Sequence, residues 1–263
     1  LTYEQSEGTV TPPEPTGPTI GGQEVEVVTT GDGLYADEYE SGKYTYKGAN
    51  PNNYITFNNE MWRIISIGAD NTIKIMRNES IGNQVWDSAD SNNWDRPADI
   101  KTYLNETYLP TVTTNQDKIV SHTWSIGGVT YNNTDLSGQI ADENGTQSQS
   151  TNVGMITASE YLRANTNTEQ CGNMNTNNTN KATCLTTNWM HSIVPSDNFL
   201  WTISPLDSSS NYSFFVSGFT NFAGEVNYSL VINSPGVYPV LHLTPSITLT
   251  GDRTEGNPFQ IMA

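Results

Sequence analysis

The sequence predicts an α+β protein, a mostly antiparallel sheet with two or three helices, preceded by an extended N-terminal arm. Three observations predict it. Strand-length apolar runs recur at short intervals between Asn and Gly pairs, near both ends of the chain. Helical spacing is confined to the middle. Only 35% of residues are hydrophobic and 15% charged, and the balance is largely Asn, Thr, Ser and Gly, which favour turns and strand surfaces over helix interiors.

Residues 1–22, LTYEQSEGTVTPPEPTGPTIGG, read as an extended, polyproline-like arm, because proline fixes φ and removes donors. In residues 23–30, QEVEVVTT, Val25 and Val27 alternate with Glu24 and Glu26 before Val28. That predicts a strand with one apolar face. The expected division is an arm and possible donor strand over 1–30 and one domain over 31–263.

From Lys43 to Arg77 a β-meander is expected: KYTYKG, NNYITFNN, MWRIISIG and NTIKIMRN, with Asn58-Asn59 and Asp70-Asn71 at the turns. Met61, Arg63 and Ile65 fall on one face; Trp62, Ile64 and Ser66 fall on the other. A helix is predicted over 95–110, with Asp95 as N-cap, Pro97 in the first turn and Pro110 as its stop. A second starts at Thr157, where Thr157 and Glu160 have capping-box spacing. A third runs through Cys184–His191 with Trp189 inward. Strands return at FLWTISP, NYSFFVSGF, GEVNYSLVI and GVYPVLHLTP, and SITLTGDRTEGNPFQI closes as a strand pair.

The net charge is −17, from 11 Lys and Arg against 28 Asp and Glu, which argues against a nucleic-acid partner. No run of 18 apolar residues marks a membrane span. The chain begins at Leu1 without a visible signal peptide, so either a mature product whose export or anchor segment has been removed or a trimmed chain is expected. Cys171 and Cys184 are expected to pair, as in an extracellular chain. A zinc site would need two more ligands, and only His191 is close in sequence.

No motif for catalysis, phosphate binding or metal binding is present, so no enzyme, cofactor or metal is expected. His122, His191 and His242 have no metal-motif neighbours, and His242 sits in strand alternation between Leu241 and Leu243. The acidic pairs Asp37-Glu38 and Asp142-Glu143 read as solvated loop edges. The stretches DENGT and GDRTEGN are only loosely like calcium loops. Sequons at Asn78, Asn105, Asn132, Asn144, Asn177, Asn211 and Asn227 follow from composition.

Several segments together resemble a group of Gram-positive gut-bacterial surface proteins. They are GDGLYADEYESGKYTYKGANPNNYITFNNEMWRIISI, IKIMRNESIGN, NWDRPADIKTYLN, ITASEYLRANTNTEQCG, FLWTISP and GVYPVLHLTPSITLTGDRTEGNPFQI. The likeness runs from about Gly31 to the C-terminus. It implies a C-type-lectin-like domain, the fold of formylglycine-generating enzymes and of retroelement-diversified receptors. In those receptors the ligand surface lies near the C-terminal hairpins. Carried over, it implies Asn211, Tyr212, Phe214, Asn221, Phe222, Asn227 and Tyr228. The oxidising enzymes of this fold use late cysteines, and this chain has none after Cys184.

Two functions follow as expectations. The first is a pilus-like surface filament subunit, self-assembling through Val25, Val27 and Val28 by strand complementation. The second is a monomeric lectin-like adhesin on a stalk, with a glycan or host-protein ligand and exposed Trp and Tyr for stacking. Both place the protein outside the cell or on its surface.

Overall fold

The computed structural model describes residues 17–131, 135–173 and 181–262. The first sixteen residues of the expected arm, and the sequons at Asn132 and Asn177, lie outside the described residues. The α+β class holds: the architecture is mostly sheet with short helices.

The large sheet is built on the predicted meander. Tyr44–Lys47, Tyr54–Phe57, Glu60–Ile67 and Ile73–Arg77 are its strands. At the Tyr54–Phe57 to Glu60–Ile67 turn, Asn58 and Asn59 take φ of 53° and 58°. A two-residue hairpin needs positive φ at both positions, and Asn tolerates it. Val240–Leu243 pairs antiparallel with Ile73–Arg77, and on its other side with Ile119–Val120 and Val153–Gly154. Leu249–Thr250 pairs with Phe259–Ile261, as the closing pair predicted, and Phe259–Ile261 runs parallel to Tyr54–Phe57. Phe199–Pro205, Tyr212–Ser217 and Val226–Leu230 form a separate three-stranded antiparallel sheet.

One irregularity positions the site. The Glu60–Ile67 to Ile73–Arg77 register is Ile64↔Ile75 and then Ser66↔Lys74, a one-residue bulge. A bulge of one residue moves the following side chains to the other face of the pairing. Ser66 therefore lines up with Lys74 rather than with Ile73. Thr45↔Ser66 and His242↔Lys74 extend the same row. Four strands thus carry the polar row Thr45–Ser66–Lys74–His242 across one face of an otherwise apolar sheet.

The core is aromatic. All six tryptophans are at most 2% exposed. The expectation of exposed Trp for stacking is thereby corrected: each indole is worth more buried than wet. Arg63 is also buried, stacked on Tyr54 at 3.7 Å and facing Trp189 at 4.8 Å, with its Nε donating to Asn53.

The helices are shorter and more numerous than predicted. The N-cap of the first is Ala98, not Asp95, and the α-helix spans only Asp99–Thr102 before a π-helical stretch, Tyr103–Tyr108. Asp95 lies four residues ahead of that helix, where it pairs with Lys101 and accepts from the Gln149 amide at 3.2 Å. Residues preceding proline resist the α conformation, which keeps Arg96 out of the helix. The Ala158–Arg163 helix starts as predicted, with both bonds of the Thr157–Glu160 capping box formed. Lys181–Thr186 and Trp189–Ser192 replace the single third helix, and Trp189 is buried.

Residues 17–30 do not form a free strand. Thr19–Ile20 and Gln23–Glu24 make a hairpin around Gly21-Gly22, and it packs on the same chain. Leu249 donates its amide to Gly21 O at 2.9 Å, and Gln23 Nε2 donates to Leu249 O at 2.8 Å. A Cβ on Gly21 would meet Leu249 at 2.3 Å, so the approach needs glycine. Val25 is buried in this body, while Val27 and Val28 are half-buried. The boundary drawn at residue 30 therefore separates segments that share one core. Burial within the chain thus uses Val25, one of the three valines expected to serve a neighbour.

Candidate functional site

A cleft of about 500 Å³ opens over the polar row. Ser66, Lys74 and His242 form part of its floor. The Ala158–Arg163 helix supplies Glu160 and Arg163, one turn apart and hence on one face. The Leu136–Asn144 helix supplies Ile140 and Glu143. The 122–125 segment supplies His122 and Trp124, and Ala69, Asp70 and Thr123 are exposed lining residues.

The floor is a network of matched charges. Lys74 Nζ lies 2.5 Å from Glu160 Oε1, while Glu160 Oε2 accepts from the Thr157 amide at 2.9 Å. One carboxylate thus caps the helix and neutralises a buried lysine. Arg163 Nη1 pairs with Asp37 at 3.2 Å and with Glu40, and Lys43 Nζ reaches Glu40 at 2.7 Å. Burial alone would raise the Glu160 pKa, but Lys74, Lys43 and Arg163 outweigh it and pull it to about 2. Glu40 is likewise held at about 2, where Arg163 and Lys43 overcome its burial.

Glu143 is the exception. Among the described residues it makes no ion pair, and burial raises its pKa, against the hydrogen bonds it accepts. It accepts from the Ser159 amide at 3.1 Å, the Ser159 hydroxyl and the Ser204 hydroxyl at 2.7 Å.

Two imidazoles form one side of the cleft. His122 and His242 stack with centroids 3.8 Å apart and planes 8° from parallel. His122 Nδ1 lies 2.6 Å from Thr123 O. A carbonyl only accepts, so Nδ1 carries a proton. His242 is pushed well below 6.5 by burial first, then by Lys74, His122 and Lys43. Two buried polar atoms of the lining, Arg163 Nε and His242 Nδ1, have no hydrogen-bond partner among the described residues.

Of the residues implied by resemblance, Tyr212, Phe214 and Tyr228 pack together, but the seven do not form one open site. Phe214 is 0% exposed and belongs to the core, so it offers no surface to a ligand. Tyr212 and Tyr228 are half-buried and pack edge to face at 5.5 Å. Asn211 Nδ2 donates to Asp90, and Asn227 Oδ1 accepts from the Tyr228 amide. Asn221 and Phe222 are exposed at the hairpin tip, where they line a shallow groove with Phe199 and Phe219. None of the seven lines the cleft.

The cleft residues carried weak signals in the sequence. Three of the eleven Lys and Arg, namely Lys43, Lys74 and Arg163, converge there. His242, read as a strand residue, is one, and its ring is also part of the lining.

Among the described residues no group of three His, Cys, Asp or Glu is placed to hold a metal ion. The Asp252 carboxylate of GDRTEGN is taken by the Thr254 amide and hydroxyl. Cys171 and Cys184 form a disulfide, as expected. No helix among the described residues is long and apolar enough to cross a membrane. No family model, curated protein or solved structure matches this chain.

Proposed function

We propose that this chain is an extracellular binding protein, a C-type-lectin-like domain displayed on a stalk, which takes a small polar ligand in the cleft over the Ser66–Lys74–His242 row. The observation that carries this reading is the cleft itself: about 500 Å³ of polar space over a preformed charge network. Sites for small ligands are concave, largely preformed, and fix orientation with a few converging polar groups. Lys74, Glu160, Arg163 and His242 bring such polar side chains together in its lining. The disulfide fits an oxidising compartment.

Binding is favoured over filament assembly because Val25 is already buried in its own chain and the hairpin at Gly21-Gly22 is bonded to Leu249. It is favoured over catalysis because the cleft's lysines and arginine are all held in ion pairs.

The test is a thermal-shift screen of sugars, amino acids and nucleosides against the full chain and a Thr123→Trp variant that fills the cleft mouth. A compound that raises the wild-type midpoint and not the variant's supports the reading. Equal shifts in both proteins, or none in either, contradict it.

A further inference from the structure

We infer that the aromatic groove at the tip of the three-stranded sheet receives a proline-rich segment, residues 11–16, from the arm of a second copy of this chain. The groove is separate from the cleft, and the contact does not use Val25, Val27 or Val28.

The groove is built, not incidental. Of the seven phenylalanines only Phe219 and Phe222 are exposed, at 38% and 58%. They line about 410 Å³ of mostly apolar space beside Phe199. Phe219 packs on Phe199 at 4.7 Å and Phe199 on the buried Phe215 at 4.4 Å, so the exposed rings continue the core to the surface. The backbone beneath them is bonded. Gly218 donates to Asn198 O at 2.9 Å, Gly224 to Ser217 O at 2.7 Å and Glu225 to Phe222 O at 3.0 Å. Lys181 Nζ donates to Asn221 O at 2.6 Å from the helix that carries Cys184. Apolar rings held in solvent on a bonded backbone mark an interaction surface, because a partner recovers the cost of exposing them.

The chain itself carries the complement. Residues 11–18 read TPPEPTGP. Pro18 is buried and its carbonyl accepts from the Val25 amide at 3.0 Å, so it belongs to the hairpin. Pro12, Pro13 and Pro15 lie ahead of it, with Pro12 and Pro15 in P-x-x-P spacing. Such segments favour polyproline II, whose rings enter aromatic-lined grooves at little entropic cost and whose carbonyls have no internal partners. The exposed side chains of Ser196 and Asn221 line the same groove and can donate to those carbonyls.

The place of the segment selects a neighbour's groove over its own. Gly17 leads into the hairpin bonded to Leu249 of the large sheet, whereas the groove tops the other sheet. From Gly17 back to Pro12 is about 15 Å of polyproline II, a stiff conformation that projects the prolines from the body rather than folding them across it. Segment and groove are different surfaces, so the contact is heterologous, and each pair of copies keeps one free segment and one free groove. At −17 per copy the chains repel, so association is expected to be weak and to strengthen with salt.

The experiment is sedimentation velocity on the full chain at stepped concentration, in low and in high salt. An arm variant, Pro12→Ala/Pro13→Ala/Pro15→Ala, and a groove variant, Phe219→Ser/Phe222→Ser, are run alone and as an equimolar mixture. Phe222→Ser alone, at the more exposed ring, replaces the groove variant if the double substitution lowers the melting midpoint. Wild type is expected to associate as concentration rises, more so in high salt. Each variant alone should associate at least about tenfold more weakly. The mixture should regain association and stop at dimers, because one intact groove then meets one intact segment. A wild-type chain that stays monomeric at every concentration in both salts overturns the inference. Association that survives either variant overturns it too, and survival in the arm variant alone means that two grooves meet face to face. A mixture that does not regain association also overturns it.

Discussion

His122 and His242 stack face to face 3.8 Å apart, and Lys74 stands beside His242 in register on the neighbouring strand. Protonating the inner ring would set a positive charge between another imidazole and a lysine. Burial disfavours that charge first and Lys74 next, so His242 stays neutral in the fold.

The consequence is a pH limb. The folded pKa of His242 is depressed, so its contribution to stability is full above its unfolded value of 6.5 and is lost as pH falls below that. The loss is expected to be about 1.4 kcal/mol per pH unit below 6.5. Urea denaturation at stepped pH should show this slope in wild type and a shallower one in His242→Phe, where His191, also lowered by burial, still contributes.

Glu143 has the opposite sign. Its folded pKa is raised above 4.5, so its contribution is present below 4.5 and is lost as pH rises through the folded value. Glu143→Gln keeps the hydrogen-bonding shape and should remove that loss. Glu143→Ala leaves the hydroxyls of Ser159 and Ser204 without this acceptor and is expected to cost about 1–3 kcal/mol by urea denaturation.

Glu160 separates two roles. Glutamine still closes a capping box, so Glu160→Gln keeps the cap and strands Lys74. Breaking a buried pair costs about 3–5 kcal/mol. The double variant Glu160→Gln/Lys74→Met should recover much of that. Because Glu160 and Glu40 have folded values of about 2, their stabilisation is expected to fade as pH drops from 4.5 toward 2.

Removing the Cys171–Cys184 bridge with Ser at both positions should cost about 3 kcal/mol on the loop-entropy estimate. Mass spectrometry should show two added hydrogens on reduction, and denaturant unfolding gives the energy.

The two phenylalanines carried over by resemblance should part company. Phe214→Ala is expected to cost about 3–5 kcal/mol, as a core truncation. Phe222→Ser, on a side chain 58% exposed, should shift stability by less than about 0.5 kcal/mol. Phe222→Ser should also leave ligand binding in the cleft unchanged, as thermal shift will report.

Local chemistry was legible in the sequence. The Asn58-Asn59 turn, the Thr157–Glu160 cap, the closing strand pair and the disulfide each depend on residues close together in the chain. The cleft was not legible, for a physical reason. Its row joins Thr45, Ser66, Lys74 and His242, whose alignment is set by a bulge after Ile64 that alternation does not reveal. Strict alternation put Ser66 with Trp62 and Ile64. The one-residue slip instead pairs it with Lys74 beneath Glu160. Likewise, the valines of residues 23–30 showed an apolar face but not what would cover it.

The most direct test of the cleft as a binding site is histidine-ring NMR. The chain has only three histidines, and His191 does not line the cleft. The full chain is titrated with each compound that raises its melting midpoint. The account predicts that the His122 and His242 ring signals move together and saturate while His191 stays in place. Movement of His191 alone, or of no ring at all, would contradict it.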